Sequence, residues 1–158
     1  MLIASSTPAQ NLFVSDFSSG NIYEYTPDGV RSTFASGLRG PCGLAFNSEG
    51  DLFVVNGLSN YIIKITPSGT QSTFASGLST PYAAAIDSAD NLFVSVSISG
   101  RTSRGIIKFT PDGVKSLFAS GLGNQMIGLA FQPVPEPSAL GLLAVGVFGI
   151  ALLRRHRG

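Results

Sequence analysis

An all-β repeat protein is what the sequence predicts, and three observations predict it. The chain writes one text three times: Asn11-Leu12-Phe13-Val14 to Phe34-Ala35-Ser36-Gly37-Leu38, Asp51-Leu52-Phe53-Val54 to Phe74-Ala75-Ser76-Gly77-Leu78, and Asn91-Leu92-Phe93-Val94 to Phe118-Ala119-Ser120-Gly121-Leu122. Its apolar runs are short and rich in β-branched and aromatic residues, and Gly and Pro bound them, which is the pattern of strands. The starts at 11, 51 and 91 lie 40 residues apart, and a period near 40 built from such runs marks a propeller blade or similar array unit. The expected fold is a partial β-propeller of about three four-stranded antiparallel blades in residues 1–133, with repeats about 11–50, 51–90 and 91–131. One C-terminal transmembrane helix follows.

Each blade is legible strand by strand. Gly43-Leu44-Ala45-Phe46, Ala83-Ala84-Ala85-Ile86 and Gly128-Leu129-Ala130-Phe131 read as first strands. Leu12-Phe13-Val14, Leu52-Phe53-Val54-Val55 and Leu92-Phe93-Val94 read as second strands, followed by third strands around Tyr23, Ile63 and Ile107 and fourth strands ending at Phe34, Phe74 and Phe118. Thr-Pro-Asp-Gly at 26–29 and 110–113, and Thr-Pro-Ser-Gly at 66–69, place Pro where its fixed φ suits a tight turn and Gly where the chain turns left-handed. Asn47-Ser48-Glu49-Gly50 and Asp87-Ser88-Ala89-Asp90 join first to second strands. The third copy carries four extra residues between Ser97 and Ile106, read as a longer loop. Tyr23, Tyr25, Tyr61 and Tyr82 fall at strand positions and are expected to pack rather than to form a sugar platform.

Composition excludes several functions. Without the last residues and Glu136, the repeats hold seven basic against eight acidic residues, so no basic face waits for nucleic acid. Cys42 is the one cysteine, which rules out an intramolecular disulfide and a thiolate metal cluster; inside an apolar strand it reads as a small buried hydrophobe. The one histidine, His156, sits in the basic tail, so no Ser-His-Asp triad and no His-based zinc site can form in the blades. Met1 to Ser6 lacks a basic start and a long apolar core, so it does not read as a signal peptide. Three units plus one strand fall short of the four to eight blades of a closed ring. The expectation is a C-terminal part of a longer propeller, with self-association as the other route to closure.

The run Pro41-x-Gly43-Leu44-Ala45-Phe46, Gly50-Asp51-Leu52-Phe53-Val54-Val55-Asn56, Asn60-x-Ile62-x-Lys64, Pro67-x-Gly69 resembles an NHL-type repeat, a blade shared more loosely with gluconolactonase-like six-bladed propellers. The resemblance covers residues 11 to about 131 and implies the fold more firmly than any activity. A streptogramin-lyase-like activity resembles the same repeats but relies on histidine, which the blades lack.

After Phe131 the text changes. Val134-Pro135-Glu136-Pro137 precedes an uncharged stretch from Ser138 to Leu153, then Arg154-Arg155-His156-Arg157. About 16 residues give roughly 24 Å of helix, and snorkelling arginines with local thinning close the gap to a bilayer core of ~30 Å. A transmembrane helix over about 138–153 is therefore predicted, with Arg154, Arg155 and Arg157 anchoring it on the cytoplasmic side. Residues 134–158, with Pro-Glu-Pro, apolar helix and Arg cluster in that order, resemble the PEP-CTERM sorting signal of Gram-negative bacteria. The resemblance implies export, transient inner-membrane anchoring, processing by an exosortase near Pro135, Glu136 and Pro137, and delivery to the cell surface or the extracellular space.

A site, if the blades hold one, belongs where second-to-third and blade-to-blade connections emerge together. Asp16 and Asn56 occupy equivalent positions there, with Val96 in the third copy, and the Ser97-to-Gly105 loop brings Arg101 and Arg104. In gluconolactonase-like relatives a carboxylate–amide set near the channel holds a divalent cation, so the resemblance makes Asp16 and Asn56 candidates. The plainer reading is that they cap turns through side-chain to backbone hydrogen bonds. No catalytic residue, metal ligand set or cofactor is predicted. The expected function is an exported, surface-displayed binding or matrix protein whose partners are the exosortase, the inner membrane in passing, and an exopolysaccharide or surface protein, with no nucleic acid. The alternative is a metal-dependent gluconolactonase-like hydrolase with its remaining ligands in missing blades; calcium or another divalent cation enters only there. Gly146→Arg places a charge at the middle of the apolar stretch, where insertion scales charge about 2.5–3.5 kcal/mol. The variant should leave the membrane fraction under carbonate extraction more readily than the parent.

Overall fold

Three antiparallel sheets stand side by side, each presenting its faces to its neighbours. The computed structural model describes residues 9–99, 103–123 and 128–132. The first sheet holds β1 (Leu12–Asp16), β2 (Asn21–Tyr25) and β3 (Arg31–Ala35) in chain order. The second holds β4 (Pro41–Phe46), β5 (Leu52–Asn56), β6 (Tyr61–Ile65) and β7 (Gln71–Ala75). The third holds β8 (Ala84–Ile86), β9 (Leu92–Ser99), β10 (Ser103–Phe109) and β11 (Lys115–Leu122). This is the all-β, propeller-like architecture that the repeat predicts. The apolar segment predicted to cross the membrane, 138–153, lies outside the described residues.

The sheets repeat in detail as well as in outline. β1–β2 pairs Leu12 with Tyr25 and Val14 with Tyr23; β5–β6 pairs Leu52 with Ile65 and Val54 with Ile63. A register shift recurs after Ile22 in β2 and after Ile62 in β6. The Thr-Pro-x-Gly turns close identically: the N–H of Gly29, Gly69 and Gly113 donates to the carbonyl of Thr26, Thr66 and Thr110 at 2.8–2.9 Å, with glycine φ between 80° and 86°. The threonine hydroxyl completes each turn by accepting from the N–H four residues on, at 3.2, 3.1 and 3.0 Å. That role for threonine was not apparent from the Pro-Gly pattern alone.

Period-two alternation sends successive side chains of one strand into different cores. From β5, Leu52 and Val54 face the first sheet and pack with Ile22, Ala35 and Leu38, while Phe53 and Val55 face the third and pack with Leu92, Val94 and Phe109. A T-shaped phenylalanine pair recurs in each blade: Phe13 with Phe34 at 5.0 Å, Phe53 with Phe74 at 4.9 Å, Phe93 with Phe118 at 4.9 Å. Such a pair is worth about 0.5–1.5 kcal/mol beyond its buried area.

Three expectations change. The first sheet has three strands among the described residues, because the position of its first strand falls in 1–8. Residues 128–132, which repeat the β4 sequence, form no strand. The third copy's extra residues lengthen a hairpin rather than a loop: β9 runs on to Ser99 and β10 begins at Ser103. The alternation Val94-Ser95-Val96-Ser97-Ile98 is itself a strand pattern, which accounts for the extension.

Gly43 sets how closely β4 and β8 approach. A Cβ there would lie 2.6 Å from the Ala84 nitrogen and 2.7 Å from the Tyr82 carbonyl oxygen, both backbone atoms that cannot swing away. Gly43→Ala should lower stability by about 1–3 kcal/mol in denaturant unfolding. Gly123→Ala, where a Cβ meets nothing within 4 Å, should leave the midpoint in place.

Candidate functional site

Two features collect the chemistry: a clasp of loops at one end of the sheets and a cavity beside the first strands. Strand direction sorts the connections between ends. The 47–50 and 87–90 turns share one end, where Ser48 N–H and Oγ–H donate to the Asp90 carboxylate at 2.8 and 2.5 Å. The 17–20 and 57–60 turns share the other end with the blade-to-blade connectors.

At this loop end the backbone does much of the joining. Gly57 N–H donates to Gly40 O at 2.9 Å, Ser97 N–H to Ser79 O at 2.8 Å, and Leu38 and Leu78 N–H to Gly20 O and Asn60 O at 3.0 Å each. The predicted side chains serve the same end. Asn56 is fully buried and its Oδ1 accepts from Arg39 N–H at 3.1 Å. Asn60, at φ 60°, accepts Thr80 N–H at 3.2 Å. Arg104 Nη1 donates to Thr80 O at 3.1 Å, so it stands in β10 and reaches the second connector. Asp16 turns back on its own hairpin and accepts from Ser18 and Ser19 N–H at 3.0 and 3.1 Å, and the Ser19 bond leads in holding its carboxyl below the usual value. Asp16 and Asn56 thus serve separate backbone groups. Arg101 lies outside the described residues.

No group of three or more His, Cys, Asp or Glu able to hold a metal occurs among the described residues. Two buried polar atoms at the loop end, Asn56 Nδ2 and Ser59 Oγ, have no hydrogen-bond partner among the described residues. Asn56 therefore presents a donor rather than a second oxygen ligand.

The cavity, of about 500 Å³, was not visible in the repeat pattern. Ser15, Phe17, Cys42, Gly43, Tyr82 and Leu129 are among its walls. Tyr82 departs from expectation: it precedes β8 rather than lying in a strand, and it is exposed. Cys42 is half-buried, its thiol donating to Val55 O at 3.3 Å, and burial pushes its pKa up. The signal for this cavity was Gly43 itself, whose missing side chain lets β4 and β8 converge.

Comparison with known proteins separates the two halves of the chain. Residues 133–155 match the PEP-CTERM protein-sorting motif. That motif is a recognition signal for exosortase processing and indicates export, by membrane-anchored sorting, to the cell surface. Pro135, Glu136 and Pro137, together with Arg154 and Arg155, fall within the match, Arg157 just beyond it, and all lie outside the described residues. The sheets are similar to solved β-propellers. Virginiamycin B lyase from Staphylococcus aureus superposes with a TM-score of 0.57 at 23% identity, over 69% of this chain and 37% of that one. A gluconolactonase from Xanthomonas campestris superposes at 0.61 with 12% identity, over 69% and 43%. Regucalcin, a calcium-binding protein from Agrobacterium tumefaciens, superposes at 0.54 with 16% identity, over 70% and 40%. The chain therefore spans about two-fifths of the length of these structures, and the likeness is one of fold. No curated protein matches the chain.

Asn56→Ala should cost about 1–3 kcal/mol, because it strands Arg39 N–H next to a hole in a buried site. Asp16→Ala, on an exposed hairpin, should cost much less. Denaturant midpoints of both variants check the ranking.

Proposed function

We propose that the chain is an exported β-propeller module that binds a surface ligand rather than catalysing a reaction, delivered by its C-terminal sorting motif. The carrying observation is the match to that motif at 133–155, directly after the last repeat. The ligand class is an exopolysaccharide or a surface protein met by the loop end, and the exosortase acts near Pro135, Glu136 and Pro137. Before processing, the stretch 138–153 sits in the inner membrane with Arg154, Arg155 and Arg157 on the cytoplasmic side.

Geometry supports the presentation of that end. β4 runs from the loop end to the turn end. Residues 128–131 repeat the β4 sequence, and Phe131 meets Phe93 edge-to-face at 4.9 Å as Phe46 meets Phe13 at 4.9 Å. The chain thus reaches Gln132 at the turn end, away from the loop clasps.

The polar side chains of the loop end serve its architecture, which leaves a ligand to be met by the surface they hold in place. Asp16, Asn56, Asn60 and Arg104 are each engaged with backbone. A virginiamycin B lyase with one histidine changed to alanine is catalytically inactive, and the one histidine here, His156, falls in the tail. No bound cofactor is part of this reading.

The test uses the chain behind a working signal peptide in an exosortase-bearing host. Replacing Pro135, Glu136 and Pro137 with alanine should leave membrane insertion intact, since none lies in the apolar stretch, and should abolish the shortened mature mass. Cleavage and release equal to the parent's would reduce the tail to a plain anchor. Lactone hydrolysis by the purified chain that depends on added calcium would replace the binding reading with the hydrolase.

A further inference from the structure

The two outer flanks of the arc each leave apolar residues exposed. Between the first and second sheets, Leu52, Val54 and Ile65 of one meet Phe13 and Phe34 of the other. The counterparts on the first sheet's outer face, Leu12 and Val14, are 63% and 38% exposed, where Leu52 and Val54 are at 0%. With Tyr25 they line a hollow of about 420 Å³. On the opposite flank Phe118, the counterpart of Phe34, is 61% exposed beside Phe93. The first flank is shaped like the face that the second receives.

The strands tell the same story. The first sheet starts at β1, whose outer edge has no partner strand among the described residues. Gly128-Leu129-Ala130-Phe131 repeats Gly43-Leu44-Ala45-Phe46, the strand that pairs with β5, yet it joins no sheet among the described residues. Residues 3–6, forty positions before Gly43 to Phe46, read Ile-Ala-Ser-Ser and do not repeat it. One copy cannot join its own ends, because a ring of three blades is too tight.

We propose that two copies of this chain close into one ring, residues 128–131 of each serving as the missing first strand of the other's first sheet. Transposing Phe46↔Leu52 and Leu44↔Val54 by the repeat gives Phe131↔Leu12 and Leu129↔Val14 across the two junctions. Three sheets from each copy make six, within the range of closed propellers. Head-to-tail junctions of this kind form a ring when the rotation closes. The cavity walled by Phe17, Tyr82 and Leu129 then becomes an axial chamber shared by both copies.

The test takes the full chain in mild detergent with Cys42→Ser as background. Leu12→Cys and Phe131→Cys are made separately, mixed and oxidised; opposed strand residues stand close enough for a disulfide. A covalent two-copy product should form in the mixture and in neither variant alone. Light scattering should read twice the chain mass, and Val14→Arg or Phe118→Arg, each on a face exposed in the single arc, should weaken pairing at least tenfold while preserving the far-ultraviolet strand signal. A single-copy mass without cross-linking would overturn the proposal, assigning the edges to residues 1–8 or to blades supplied from elsewhere. A ladder beyond two copies would overturn it too, since it means a contact that does not close.

Discussion

Everything in this fold follows from sheets that have no solvent side. A sheet with one wet face alternates apolar and polar residues, but β5 reads Leu-Phe-Val-Val and is buried along its whole length. Leu52 and Val54 need one neighbour, Phe53 and Val55 another. Each fully buried aliphatic or aromatic side chain stabilises by about 1.5–3 kcal/mol, so a single blade on its own forfeits most of what its strands can gain. The middle sheet is satisfied; the outer two are each satisfied on one face. Turns, clasps and the close approach at Gly43 are the means by which three such sheets are kept at packing distance.

The repeat made the fold legible because its information is written three times. Strand content, antiparallel order and the turns at Thr26, Thr66 and Thr110 all follow from local chemistry that a single strand pair or turn expresses. What stayed hidden depends on groups distant in sequence. That Asn56 would cap Arg39, or that Arg104 would reach Thr80, depends on how two blades lean together. The third copy misled for the opposite reason: its insertion looked like a loop by length, while the alternation of Val94, Ser95, Val96 and Ser97 was already a strand. The cavity was invisible because its walls combine first-strand residues such as Cys42 and Gly43 with Ser15, Phe17 and Tyr82 from elsewhere in the repeats.

Polar chemistry in the blades is spent on architecture. Asp51 is buried and held by Lys64 at 2.6 Å, a contact whose hydrogen bond raises the lysine's pKa, and Ser95 Oγ accepts Ala83 N–H at 2.9 Å inside the third sheet. Buried groups of this kind are costly unless paired, and pairing fixes them in place. A propeller frame therefore carries no commitment to a reaction; that depends on which loop or channel residues remain uncommitted. Here the most distinctive functional text is the sorting motif, which lies outside the frame altogether.

Faces that repeat from unit to unit have a consequence for how such a chain changes over generations. Removing the unit 51–90, or duplicating it, would rejoin a face like that of Leu52 and Val54 to one like that of Phe13 and Phe34, so the new junction would be chemically the same as the old. Unequal recombination between units is therefore nearly silent at each seam. Selection acts instead on the total angle swept, because only certain numbers of units bring the last face round to meet the first.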